Sequence, residues 1–178
     1  MIDAMATIRQ ANPEDANAID ALISASIAGL FPSTYDPRQT ASAVANVDAV
    51  DRTLLDDGTF YVVEEDGALI ACGGWGRRDR FTHRDERGPS PLLDPARDAA
   101  PIRFMFTRPD RTRRGHATSI LDACLAAARA EGFRHLVLRA SLPGEPLYRR
   151  FGFREVERLE IRFPDDEAIE VVDMEMAI

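Results

Sequence analysis

The segment 102–138 constrains this chain most. Ile102, Phe104 and Phe106 alternate with Arg103 and Met105, as in a strand with one strongly apolar face. The run ends at Thr107-Arg108-Pro109, and the turn Asp110-Arg111-Thr112-Arg113-Arg114-Gly115 leads into a helix over 116–132. Ala117, Ile120, Leu121, Cys124, Leu125 and Ala128 form one continuous apolar stripe along that helix. Gly132 closes it, and Leu136-Val137-Leu138 is a short, wholly apolar strand. Two strands joined by a crossover helix run parallel, so the segment is a βαβ unit at the heart of an α/β fold.

The flanks extend this core. Residues 7–10 read as a strand. Asn12 with Pro13 and Glu14-Asp15 opens a helix ending near Gly29, and a second helix is expected over 37–55. Phe60-Tyr61-Val62-Val63 and 68–75 form a hairpin turned by Asp66-Gly67. Gly73-Gly74 marks a bulge or a close backbone approach. After 77–101, a long segment without period, come the core, a short helix over 146–151 and an antiparallel pair over 159–163 and 172–178. The expected architecture is one domain over 1–178, a mixed central sheet with a parallel βαβ core, in the order β-α-α-β-β-β-α-β-α-β-β. A final strand with exposed Met176 and Ile178 offers an edge for pairing in a homodimer.

Composition excludes several classes. The 178 residues suit a single domain, and 45% hydrophobic with 29% charged is ordinary for a globular protein. The longest uncharged run, 21–35, contains Pro32 and several serines, so no membrane span is expected. The N-terminus shows no basic patch or apolar core of a secretory signal. Cys72 and Cys124 sit in apolar stretches, as buried reduced thiols of a cytoplasmic protein would. His83, His116 and His135 have no metal-ligand spacing with either, so no metal is expected.

Charge is distributed unevenly. Residues 1–76 carry three arginines against twelve acids, 77–114 eleven against six, and 115–178 eight against twelve. All 22 basic residues are arginine. A basic island in a chain of net charge −8 suggests a local anion site, while overall acidity and the lack of interleaved aromatics argue against nucleic acid. The anion site is read at the helix start after Arg114, where free backbone amides and the helix dipole favour negative charge. Gly115 and Ala117 keep that turn thin, and Arg111, Arg113 and Arg114 add charge. The pattern is neither a P-loop nor a dinucleotide-binding glycine motif.

Taken with Pro146-Leu147-Tyr148-Arg149-Arg150-Phe151-Gly152-Phe153 downstream, this order of elements resembles the GNAT superfamily of acetyl-CoA-dependent N-acyltransferases. The match is close over 102–153, and the flanking elements fit nearly the whole chain. The resemblance implies that Thr112-Arg113-Arg114-Gly115-His116-Ala117 stands for the family's Q/R-x-x-G-x-G/A turn, which binds the coenzyme A pyrophosphate. Gly115 and Ala117 match it; Thr112 departs from the usual Gln or Arg. It further implies that Arg113, Arg114, His116 and Thr118 border the cofactor, that Phe106 and Thr107 pair their backbone with the pantetheine arm, and that 102–107 and 135–140 splay to admit the thioester. Ser141 stands where many members place an asparagine touching the coenzyme. Tyr148 falls where the family keeps a tyrosine beside the thioester sulfur, as the acid for the departing thiolate.

The reaction then expected is transfer of acetyl from acetyl-CoA to an amine, within a ternary complex. The acceptor is a small molecule or peptide, and the acidic first third suits a cationic one. No acid lies in 102–107 to serve as base; water, Glu86, Asp98 or His116 stay open. An alternative is a non-catalytic module of the same fold that only binds coenzyme A.

Overall fold

The computed structural model describes residues 6–78 and 91–178. Seven strands form one sheet in the order β1-β2-β3-β4-β5-β7-β6: β1 is Thr7–Gln10, β2 Phe60–Glu65, β3 Ala68–Trp75, β4 Ala100–Thr107, β5 His135–Ser141, β6 Arg154–Arg162 and β7 Ala168–Ala177. Every neighbouring pair is antiparallel except β4 and β5. Helices α1 (Ala16–Leu30), α2 (Pro37–Asn46) and α3 (Arg52–Asp56) pack on one face; α4 (His116–Ala130) and α5 (Glu145–Phe151) pack on the other. The expected α/β class and mixed sheet with its parallel βαβ core are present.

Each face buries its own core. Beneath α4 and α5, Trp75, Ile102, Ile120, Leu121, Leu136, Leu138 and Met174 come together. Beneath α1–α3, Ile19, Ile27, Phe60, Val62 and Val171 do the same. The stripe read along 116–132 is the buried side of α4: Ile120, Leu121, Cys124 and Ala128 are all fully covered. Asp66 and Gly67 both take positive φ, 52° and 75°, the conformation a two-residue primed hairpin turn requires. The close approach expected at Gly73-Gly74 is also there. A Cβ on Gly73 would lie 2.1 Å from Met105 Sδ, and one on Gly74 2.7 Å from the Thr59 carbonyl oxygen.

Three expectations need correction. The single helix over 37–55 is two helices. The Asn46 amide turns back to the Ser42 carbonyl at 2.9 Å and Val47 is extended (ψ 129°), while Asp51 caps a fresh start by accepting from Thr53 N at 3.0 Å. The observed order therefore carries one helix more than expected. Strict alternation in β4 also fails. Cys72 pairs with Phe106 but Gly74 pairs with Arg103, so β4 holds one extra residue, and Phe104 takes φ +55° to absorb it. Ile102 thus enters one core while Phe104 and Phe106 pack against the other. Finally, β7 has no free edge for a dimer, because β5 and β6 pair with it on both sides and Met176 packs against the core. The sheet edges are β1 and β6.

Candidate functional site

The parallel strands β4 and β5 pair only at Ala100–Leu136 and Pro101–Val137. Beyond those two rungs they diverge, while β4 stays paired with β3 as far as Thr107 and β5 with β7 as far as Ser141. The β5-facing edge of 102–107, including Phe106 and Thr107, is thereby left without a strand partner. The bulge at Phe104 supplies the local twist that parts the strands. Sequence alternation alone could not reveal it, since a phenylalanine with positive φ breaks the usual residue preference.

At the C-terminal end of β4 the chain turns into α4. A 3-10 turn over Pro109–Arg111 packs tightly on α1: a Cβ on Gly29 would sit 2.3 Å from Pro109 Cγ. Gly115 caps α4 with φ +86°, and a side chain there would meet nothing within 4 Å. Conformation, not crowding, demands glycine. The first helical bond is Ser119 N–H to the Gly115 carbonyl at 2.9 Å, and no side chain caps the end. The amides of His116, Ala117 and Thr118 therefore precede the helical ladder. His116 is half-buried, and its Nε2 is buried without a partner among the described residues.

The arginine island resolves into two kinds of residue. Arg77 pairs with Glu131, Arg78 with Asp57, Arg97 with Asp94, Arg103 with Asp51, Arg108 with Asp110, and Arg111 with Glu65 and Asp110. Arg113 and Arg114 are exposed and form no ion pair among the described residues; Arg113 adopts a left-handed φ of 59°. Among the island's described arginines, these two flank the open helix end without an ion pair. The Arg111–Glu65 pair, at 2.6 Å, ties this turn to the end of β2. The local potential is visible in the carboxylates: Arg111, with Arg114 and His116 adding, lowers the Glu65 pKa, and Arg108 first of all brings Asp110 down to about 2. Gly115→Ala would force a left-handed alanine, costing about 1–2 kcal/mol. The melting temperature should fall by a few degrees, read by thermal unfolding.

Tyr148 lies on α5, on the same side of the sheet as α4, and is 7% exposed. Its ring meets Phe153 edge-on at 5.9 Å between centroids. Burial, with Cys124 nearby adding to it, raises the phenol pKa well above its ordinary value. The hydroxyl therefore stays protonated throughout the neutral range. Ser141 ends β5, and its carbonyl accepts from Gly144 N–H at 2.9 Å to turn the chain into α5. A Cβ on Gly144 would lie 3.3 Å from Tyr148 Cε2 and 3.5 Å from Ser141 Oγ, so Ser141 and Tyr148 converge on that glycine. Tyr35, from the segment between α1 and α2, ties this end of the sheet together. Its buried hydroxyl donates to the Glu170 carbonyl at 2.7 Å and accepts from Leu142 N–H at 2.8 Å. Nothing local in the sequence marks Tyr35, because both partners lie more than a hundred residues away.

Of the candidate bases, Glu86 lies outside the described residues. Asp98 is an exposed turn residue accepting from Asp94 N–H at 2.7 Å. The described residues contain no cluster of His, Cys, Asp and Glu that could hold a metal ion, and no helix among them is long and apolar enough to cross a membrane.

The profile of the Acetyltransferase (GNAT) family matches residues 26–153. No curated protein sequence matches the chain. Solved structures do. A GCN5-related N-acetyltransferase from Rhodopseudomonas palustris superposes with a TM-score of 0.73 at 20% identity, over 100% of this chain and 99% of that one. The PaiA N-acetyltransferase of Thermoplasma acidophilum, in complex with coenzyme A, gives 0.65 at 14% identity over 98% and 99%. YncA of Salmonella typhimurium, with acetyl-CoA as its cofactor, gives 0.63 at 18% identity over 98% and 94%.

Proposed function

Because the chain belongs to the GNAT acetyltransferase family, we propose that it transfers an acetyl group from acetyl-CoA to an amine by direct attack in a ternary complex. The observation that carries this reading is the parting of β4 and β5 after two rungs, with the uncapped end of α4 beside it. The amides of Gly115, His116, Ala117 and Thr118, together with Arg113 and Arg114, would hold the pyrophosphate. The backbone of Phe106 and Thr107 would take the pantetheine amides along the unpaired edge of β4, and Ser141 would border the coenzyme from β5. That structural relatives were solved with coenzyme A and acetyl-CoA supports the choice of cofactor.

Chemistry follows from the groups present. The neutral amine attacks the thioester carbonyl carbon, and the carbonyl π electrons move to oxygen. The tetrahedral intermediate collapses as the C–S bond breaks, and the Tyr148 phenol protonates the departing thiolate. The nitrogen's surplus proton leaves to water, and the Tyr148 phenolate takes a proton back from water, which restores the phenol. The acceptor is a small molecule or peptide amine.

Titration with acetyl-CoA tests the first step, and release of coenzyme A thiol with an amine panel tests the second. The protein adds no background to the thiol assay. Cys72 and Cys124 are fully buried, and burial pushes the Cys72 thiol up to about 12 and Cys124 higher still. Both should react with a disulfide reagent only in denaturant. No binding at millimolar acetyl-CoA ends the reading. Binding without thiol release for any amine leaves a coenzyme-binding module that does not turn over.

A further inference from the structure

The sheet separates two cores, one under α4 and α5 and the other under α1–α3. Among the described apolar residues, Leu142 alone packs against both. Where strands are paired, the backbone layer keeps a side chain to one face. The layer is open where β4 and β5 have parted, and Leu142 is the first residue past the end of β5, at the mouth of that opening. It is half-buried, so part of its side chain is packed and part is free at the mouth.

The backbone of Leu142 is held on both sides. Its N–H donates to the Tyr35 hydroxyl at 2.8 Å, and the turn it enters is closed by Gly144 N–H on the Ser141 carbonyl at 2.9 Å. Pro143, next in that turn, has its φ fixed by the ring. The Tyr148 ring lies against the same turn, since a Cβ on Gly144 would be 3.3 Å from Tyr148 Cε2. Leu142 and the candidate acid are thus carried by one short, fixed stretch of chain. The opposite lip is apolar too: Met105 packs toward the core under α4, Phe104 and Phe106 toward the core under α1–α3.

With a thioester in the opening and its sulfur beside Tyr148, the acyl carbons beyond the carbonyl run on between these lips. An acetyl group ends at one methyl. Each methylene added to it extends toward a leucine that cannot swing aside without leaving one of its two cores. Apolar walls accept an acyl tail chemically, so discrimination among donors falls on volume. One methylene too many in a filled apolar pocket typically costs roughly 10- to 200-fold. We propose that Leu142 determines acyl-chain length, holding the donor to acetyl against longer acyl groups. This rests on the acetyl-CoA reading.

Titration calorimetry with acetyl-CoA, propionyl-CoA and butyryl-CoA reads this without an acceptor, because the coenzyme is common to all three and cancels in the ratio of Kd values. The wild-type protein should bind butyryl-CoA at least about tenfold more weakly than acetyl-CoA, with propionyl-CoA between them. Leu142→Ala, which clears the space of an isopropyl group, should bring butyryl-CoA to within about threefold of acetyl-CoA. Leu142→Val is the milder change and should relieve the penalty on propionyl-CoA but not all of that on butyryl-CoA. It decides the matter should the alanine variant fold poorly. Loss of packing alone would weaken all three ligands equally and leave the ratios where they were. Equal affinities in the wild-type protein, or a butyryl penalty that stays unchanged in the folded variants, overturns the role of Leu142 and leaves acetyl-CoA binding standing. No binding of any of the three at millimolar concentration takes down the acetyl-CoA reading and this inference with it.

Discussion

Replacing Tyr148 by phenylalanine should lower kcat about 10²- to 10⁴-fold while leaving acetyl-CoA affinity unchanged, if the phenol protonates the leaving thiolate. The substitution is chosen because it keeps everything but the oxygen. The ring retains its edge contact with Phe153, and the buried site beside Cys124 loses no carbon. Thermal unfolding should therefore move by only a degree or two, and the loss in kcat cannot be assigned to misfolding. The pH profile sharpens the point. Burial holds the phenol above its ordinary pKa, so the proton is available through neutral and mildly alkaline conditions, and Tyr148 gives no falling limb below about pH 10. The same shift has a stability consequence. The unfolded chain ionises its tyrosine first, so the contribution is intact below about pH 10 and is lost as pH rises toward the folded value. An unchanged kcat in the phenylalanine variant would remove Tyr148 from the mechanism.

Trp75→Ala should cost about 3–5 kcal/mol of stability, a large share of the roughly 5–15 kcal/mol typical of a domain. Trp75 ends β3, is 0% exposed, and meets Phe133 edge-on at 5.7 Å, just beyond α4. The Arg77 guanidinium stacks over it at 5.7 Å and reaches on to Glu131, so the indole clamps the far end of α4 to the sheet. Truncation leaves a cavity there and frees that clamp. At 2–4 °C per kcal/mol for a domain of this size, the melting temperature should fall by roughly 10 °C. Trp75 is the chain's one tryptophan, so circular dichroism must report the unfolding. Because the site lies at the opposite end of α4 from Gly115, the acetyl-CoA affinity of the folded fraction should not change. A loss below 1 kcal/mol would show that the core repacks around the gap.

The arginines show why a charge count over-reads a surface. A net of +5 over 77–114 suggested one anion site, yet six of the eight described arginines in that stretch pair with carboxylates. Only folding decides which cations find partners, because Glu65, Asp51, Asp57 and Glu131 come from other elements. The turn itself was readable. Gly115 needs φ +86°, Arg113 and Arg114 flank it, and the stripe from Ile120 to Ala128 fixes which side of α4 is buried.

Local rules therefore determined a good deal: the βαβ unit, the Asp66-Gly67 hairpin and the glycine-capped helix all follow from spacing and from backbone preferences within a few residues, whereas the candidate tyrosine came from the resemblance to a family. Three features came only with the tertiary structure. The extra residue at Phe104 depends on β3 holding Cys72 and Gly74 in a different register. The Tyr35 hydroxyl finds its partners across 107 and 135 residues. The parting of β4 from β5 beyond Pro101–Val137 depends on which strand each keeps as its other neighbour, β3 for one and β7 for the other. Each of these is a relation between distant segments, and a chain read in order carries no term for a distance that exists only after the sheet has closed.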